Sequence, residues 1–348
     1  MTAARPDALP HGLTFTALVC AYTLDRWADL CESVASAATQ DPAPGELLLV
    51  IDHNDLLLQR ARDELAARHP GLVVVPNTRR QGLSGARNTA LELVRSDLVV
   101  FLDDDAAADP GWLALLTAPF ADEAVLAVGG SAVPRWPAGA GRPVTLPAAD
   151  AAGWGELDWV VGCTYAGQPT QTLPVRNVMG CNMSFRRDVF DLVGGFSEDL
   201  GRVGKVPLGC EETELCIRAS NARPGSRIVF EPAARVRHHV SPDRLTWRYL
   251  LRRCYAEGLS KAAVSAMVGQ DQALSTERRY ATRVLPLWVL RELGRALRSR
   301  RPGAAGSAFA VVAALGSTVL GYGRGRAARP DVLGHAVPSL NRLPQVQR

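Results

Sequence analysis

Cysteine is scarce and scattered in this 348-residue chain: seven residues, an odd total, and no C-x-x-C pair. That excludes a disulfide framework and the common zinc-binding spacings, and predicts reduced thiols in a cytosolic protein. An apolar leader is also missing, since the start reads "MTAARPDALPHG", and nothing there predicts export. Charge excess is small. A net +4 gives nucleic acid no electrostatic footing as the main partner. No internal repeat appears. The longest uncharged stretch, residues 302–323, is rich in Ala, Gly, Ser and Thr, which is weak material for a membrane span. It predicts a small-residue helix packed on the protein or lying at an interface.

What is present is a core. Hydrophobic residues make up 47% and charged ones 21%, enough for a large α/β domain and an extension. Apolar runs of strand length stand at "LTFTALVC", "ELLLVID", "LVVVPN" and "DLVVFLD". Between them lie helical faces marked by Trp27, Leu30, Cys31 and Val34, by Leu58, Ala61 and Leu65, and by Ala86, Ala90 and Leu93. Ser84 reads as the N-cap of the third helix. This alternation predicts right-handed βαβ units on a parallel sheet. From about Gly129 the rhythm breaks into Pro-, Gly- and Trp-rich sequence to residue 178, which predicts long functional loops. A second ordered block follows, and beyond Ser241 the pattern is helical. The predicted organisation is a tail over 1–11, a catalytic-type α/β domain over 12–240 and a helical extension over 241–348.

The fourth apolar run ends in three aspartates, "LVVFLDDD". Adjacent carboxylates repel and raise one another's pKa beside a buried strand. Ligands gather at the carboxyl ends of parallel strands. On extended backbone Asp103 and Asp105 point to one side and Asp104 to the other. Two such carboxylates suit a hard divalent cation that also holds phosphate oxygens; the same residues also make a good solvated turn. The segment "CEETELCIR" is equally double: carboxylates for proton transfer, or acids favoured at a helix start.

Taken in order, "VCAYTLDR", "LVID", "NTRRQGLSGARNTAL", "FLDDD", "GCNMSFRRDVF" with "GGF", "CEETELCIR" and "ARVRHHV" resemble a family-2 glycosyltransferase of the GT-A fold, over roughly residues 14–260. The resemblance implies a Rossmann-like, mostly parallel mixed sheet. It also implies inverting transfer of a sugar from a nucleotide-sugar, usually UDP-linked, with Mn²⁺ or Mg²⁺ as cofactor. The acceptor implied is a glycan or lipid-linked hydroxyl.

Carried onto this chain, Tyr22, Thr23 and Asp25 fall at the nucleotide pocket, and Asp52 on the uracil, although it stands in "IDHND" rather than "DDGS". Arg87 and Asn88, in the first turn of the third helix, face the donor together with Asp104, or Arg87 is an ordinary surface or ion-pairing arginine. Asp103 contacts ribose or metal, Asp105 ligates the metal, and His238 completes its shell or is a structural histidine. Glu212 stands where the family has its base, with Glu in place of Asp; Glu211 would help hold acceptor or loop, and with Glu214 close by the choice among the three acids stays open. Asn182 borders the acceptor, or is a buried backbone-bonding amide. Arg252 and Arg253 reach the diphosphate, or join Arg244 and Arg248 on a basic face against lipid phosphates. Peripheral contact with the cytoplasmic face of a membrane through the C-terminal region is a further expectation.

Two other functions fit parts of the pattern. A sugar-1-phosphate nucleotidyltransferase would carry a glycine-rich basic loop after its first strand, and "VCAYTLDR" has none. A non-catalytic sugar-binding protein of the same fold would tolerate loss of Asp105 and Glu212.

Overall fold

The computed structural model describes residues 12–203, 207–274 and 302–327. The predicted tail over 1–11 and most of the arginine-rich segment before Pro302 lie outside them.

Four strands follow the predicted runs: β1 (Phe15–Ala21), β2 (Glu46–Ile51), β3 (Leu72–Pro76) and β4 (Leu98–Asp103). All are parallel, in the order β3-β2-β1-β4. Their sequences are almost continuously apolar because both faces are covered. Val19 and Leu49 enter one core, and Leu18 and Leu48 the other. The connecting helices are α1 (Trp27–Ala38), α2 (Asp55–Arg60), α3 (Ala66–Arg68) and α4 (Leu83–Leu93), with a π turn at Ala61–Leu65 joining α2 to α3.

Two helix details differ from expectation. α4 begins at Leu83 after Gly82, so Ser84 is not its cap; the Ser84 hydroxyl donates to Leu200 O at 2.8 Å. Arg87 and Asn88 therefore lie in the second turn of α4, not the first. Leu93 is exposed, while Ala86 and Ala90 are buried.

Past β4 the sheet continues through β5 (Ala106–Ala108), β6 (Val125–Arg135), β7 (Leu173–Val175), β8 (Asn182–Arg186) and β9 (Arg227–His239). β8 runs antiparallel between β4 and β6, β9 runs parallel to β6, and β5 pairs antiparallel with β9. The sheet is thus mixed, and strand structure runs through Gly129, where the sequence pattern predicted loops. The glycines explain the difference: a Cβ at Gly130 would lie 2.1 Å from Ala234 O, and one at Gly129 would meet Val178 at 2.8 Å. Residues 136–172 are largely irregular, as expected.

The remaining helices are α5 (Trp112–Thr117), α6 (Asp188–Val193), α7 (Glu211–Ala222), α8 (Trp247–Val268), α9 (Gln270–Ala273) and α10 (Pro302–Ala327). The uncharged segment is α10, a helix packed on α8. Glycine makes the approach close: a Cβ on Gly258 would sit 2.1 Å from Thr318 O, and one on Gly321 2.1 Å from Tyr255 O. No described helix is long and apolar enough to cross a membrane.

Candidate active site

One cavity of about 800 Å³ opens at the carboxyl ends of β1, β2 and β4 and is closed on its far side by α7, α8 and α10. It gathers Tyr22, Asp52, Arg87, Asp103, Asp104, Asp105, Glu211, Glu212, His238 and Arg253.

The acidic triplet is built by a change of strand. β4 ends at Asp103, Asp104 and Asp105 form a turn, and β5 begins at Ala106 opposite His238. His239 N donates to Asp105 O at 2.7 Å, which clips the turn to β9. This ladder brings His238 Nε2 to 3.2 Å from Asp105 Oδ1. Donor atoms of Asp103, Asp105 and His238 all lie within 4.8 Å of one another.

The set fits a divalent cation. Two carboxylates and an imidazole suit Mn²⁺ or Mg²⁺, and neighbouring ligands on an octahedral ion stand about 3.0 Å apart at bond lengths of ~2.1 Å. Among the described residues the buried Asp104 Oδ2 has no hydrogen-bond partner. Gly162 makes room for the imidazole: at φ +88°, its Cβ would lie 2.8 Å from His238 Cε1.

Cations already surround these acids. Arg26 Nη1 lies 3.0 Å from Asp104 Oδ1 and 3.0 Å from Asp105 Oδ2, and Arg244 Nη2 lies 3.2 Å from Asp105 Oδ2. Burial acts to raise the Asp105 carboxyl, but His238, Arg26 and Arg244 together hold it well below the usual range. Asp104 goes the other way, pushed up to about 7 by burial and by Asp105. Sequence reasoning missed Arg26 and placed Arg244 on an exposed basic face. Arg244 is instead buried, and its Nη1 also donates to Val161 O at 3.0 Å.

The second acidic station is the first turn of α7, reached through a left-handed Cys210 (φ +71°). Its three glutamates have different environments. Glu211 Oε1 accepts from Arg87 Nη1 at 2.8 Å, and Glu214 is paired with Arg218. Glu212, half-buried on the cavity wall, makes no ion pair among the described residues; its one side-chain hydrogen bond is from the Thr213 hydroxyl at 3.3 Å. Burial, then the neighbouring Glu211, push its carboxyl up to about 8. Arg87 ties the two stations together. Buried at 2% exposure, it also donates to Gly180 O at 2.8 Å and lies 3.4 Å from Asp103 Oδ1. The metal-type triad and the glutamates are thus one guanidinium apart.

At the strand ends Asp52 is buried and organises the β3–α4 loop. Its Oδ1 accepts from Asn77 Nδ2 at 2.7 Å and its Oδ2 from Gly82 N at 3.0 Å. Tyr22 stands beside it on the wall, under the Arg26 guanidinium.

Five predicted residues lie elsewhere. Thr23 caps the 3₁₀ turn Leu24–Arg26 by accepting from Asp25 N, and Asp25 is exposed; neither lines the cavity. The Asn88 amide donates to Phe196 O at 2.9 Å and to Glu198 Oε1 at 3.2 Å, and accepts from Phe196 N at 2.8 Å. Asn182 is fully buried and satisfied: Trp112 Nε1 donates to it at 2.8 Å, and it donates to Ser131 O and Ala234 O at 2.9 Å. Its amide serves the scaffold, the second of the two readings, and it does not line the cavity. Arg253 lines the cavity and Arg252 does not.

Comparison with known proteins bears on the family and the fold. The sequence profile of glycosyl transferase family 2 matches residues 16–194. A glucosyl-dolichyl phosphate glucuronosyltransferase of Haloferax volcanii is 31% identical over 277 residues, covering 79% of this chain and 84% of that one. A pre-mycofactocin glycosyltransferase of Mycobacterium tuberculosis is 27% identical over 244 residues; the match spans 68% of this chain and only 45% of the relative. Among solved structures, the mannosyltransferase PcManGT of Pyrobaculum calidifontis, in complex with GDP-Man and Mn²⁺, aligns with a TM-score of 0.54 at 19% identity. That alignment covers 91% of this chain and 89% of that one, and it shows the shared GT-A fold.

Proposed function

The chain belongs to glycosyl transferase family 2, and from that premise we propose that it moves a sugar from a nucleotide-sugar, UDP-linked, to the hydroxyl of a lipid-linked glycan, with inversion and with a divalent cation bound. The observation that carries this is a cavity that holds the Asp103, Asp105 and His238 triad one guanidinium away from Glu211, with Glu212 beside it on the same wall.

Tyr22 and Asp52 flank the base. Asp52 Oδ2 accepts one backbone N–H and keeps a lone pair for the N–H of a uracil ring. Asp103, Asp105 and His238 would hold the Mn²⁺ or Mg²⁺, which when bound neutralises charge on the departing diphosphate. Arg87 holds Glu211 and Asp103 in register, so the donor's anomeric carbon is presented toward α7. Glu212 takes the proton of the attacking hydroxyl. That it has no ion-pair partner among the described residues supports the role, since Glu211 and Glu214 are engaged by arginines. The lipid-linked acceptor and a uronic-acid donor follow the activity named for the Haloferax volcanii relative. We place the reaction at the cytoplasmic face of a membrane.

The test is a panel of UDP-, GDP- and dTDP-sugars with the full chain and Mn²⁺, with and without a glucosyl polyprenyl phosphate. UDP release that rises with acceptor, and an inverted product linkage, are expected. Pyrophosphate release from UTP and a sugar phosphate would instead identify a nucleotidyltransferase. Normal turnover by Glu212→Gln would sink the base assignment.

A further inference from the structure

The acids occupy one side of the cavity; the opposite side is amphiphilic. On α8, Arg253, Glu257 and Lys261 recur at four-residue spacing, so they share one helix face, and all three line the cavity. Arg253 Nη1 donates to Glu257 Oε2 at 2.8 Å, and its guanidinium lies 5.5 Å from the Trp159 ring centroid, which fixes the charge in place. On α10, Val311, Ala314, Leu315 and Thr318 complete the wall.

Leu315 is the turning point, lining the cavity while 36% exposed. Beyond it the outer face of α10 carries Phe309, Val312, Val319 and Leu320 at helical spacing, each 54–71% exposed. Scattered exposed apolar residues are ordinary. This row is contiguous, is continuous with the cavity, and has exposed arginines at its ends: Arg248 beside the Trp247–Phe309 ring pair, and Arg324 and Arg326 at the other. Its orientation is set by the seam of Gly258 and Gly321, where the α8 and α10 backbones touch. An apolar row bounded by basic residues is the pattern of a helix lying at an anionic lipid interface.

Resting on the glycosyl-transfer reading above, we propose that α8 and α10 form the seat of an amphiphilic acceptor. Arg253 takes the phosphate of a lipid-linked sugar. The aliphatic chain runs over Leu315 onto the outer row of α10, which lies on the membrane holding that lipid. The C-terminal region is then part of the substrate site and not only an anchor.

The test uses the full chain and vesicles of phosphatidylcholine and phosphatidylglycerol, with and without polyprenyl phosphate. Wild type is expected to sediment with the vesicles. The triple variant Val312→Ser, Val319→Ser, Leu320→Ser is expected to partition at least about tenfold more weakly, with an unchanged melting temperature because all three positions are exposed. Arg253→Gln is expected to lose the added retention conferred by polyprenyl phosphate. It should also raise KM for the lipid-linked acceptor at least about tenfold more than KM for the nucleotide-sugar. Wild type remaining in the supernatant, or equal partition of the triple variant, overturns the surface. A rise confined to the nucleotide-sugar KM overturns the assignment of the anion and gives Arg253 to the donor diphosphate. The vesicle arm needs no turnover, so binding without sugar transfer counts against the glycosyl-transfer reading and leaves the surface standing.

Discussion

Replacing Glu212 by glutamine removes one ionisable group from the cavity wall at nearly constant volume. In the folded protein this carboxyl titrates at about 8 against an ordinary 4.5, so the native state binds the extra proton and the unfolded chain does not. Stability from this group is therefore fully present below pH 4.5 and is lost progressively as pH rises towards 8. The full shift would correspond to a ceiling of roughly 5 kcal/mol at ~1.4 kcal/mol per pH unit. Solvent at the cavity mouth screens a half-buried group, leaving about 1–2 kcal/mol. The variant never pays this cost. Thermal melts of wild type and Glu212→Gln from pH 5 to 9, without metal, should diverge by about 2–5 °C in the variant's favour, with most of the change complete by pH 8. The same group should govern catalysis: wild-type kcat/KM is expected to climb with pH and level off above about 8, while the variant binds donor and does not turn over. A melting difference that is flat with pH, or that favours wild type at high pH, would refute the account of Glu212.

Asp105→Asn should abolish the rise in melting temperature caused by Mn²⁺, and cost about 3 kcal/mol without metal, because Arg244 loses its buried carboxylate; denaturant melts with and without the ion measure both. Gly162→Ala places a methyl 2.8 Å from His238 Cε1 at a φ of +88° and should weaken the Mn²⁺ response. Gly167→Ala, at φ +100° with open space around it, is the matched control that shares only the backbone strain of about 1–2 kcal/mol. Asn182→Ala is expected to lower stability by about 2–4 kcal/mol through its lost buried hydrogen bonds, yet leave acceptor KM unchanged; a tenfold rise in that KM would return the residue to the acceptor site.

The parallel half of the sheet was legible because its strands are buried on both faces, so Leu18 and Val19 alike had to be apolar. β6 was not, since its strand passes so close to Ala234 and Val178 that only glycine fits, and local sequence reads glycine as a breaker. In the site, Asp103, Asp105 and His238 stood out because they sit on short motifs at strand ends. Arg26 and Arg244 carried no local signal: Arg244 meets Asp105 across 139 residues, and an arginine after a strand looks like any surface base. Asn88 and Asn182 fell within recognisable motifs, yet their amides serve backbone groups of distant segments. Motif position located the neighbourhood; only the tertiary contacts separated wall from scaffold.

The β5–β9 ladder joins Ala106 to His238 and seats His239 N on Asp105 O. Asp105 and His238, far apart in sequence, are thereby brought together by strand pairing, so the chain entropy of assembling them is lost at folding. If these groups hold the proposed cation, its capture would need little backbone rearrangement, and a site preset by strand pairing would favour Mn²⁺ or Mg²⁺ over the larger Ca²⁺ with its higher coordination number.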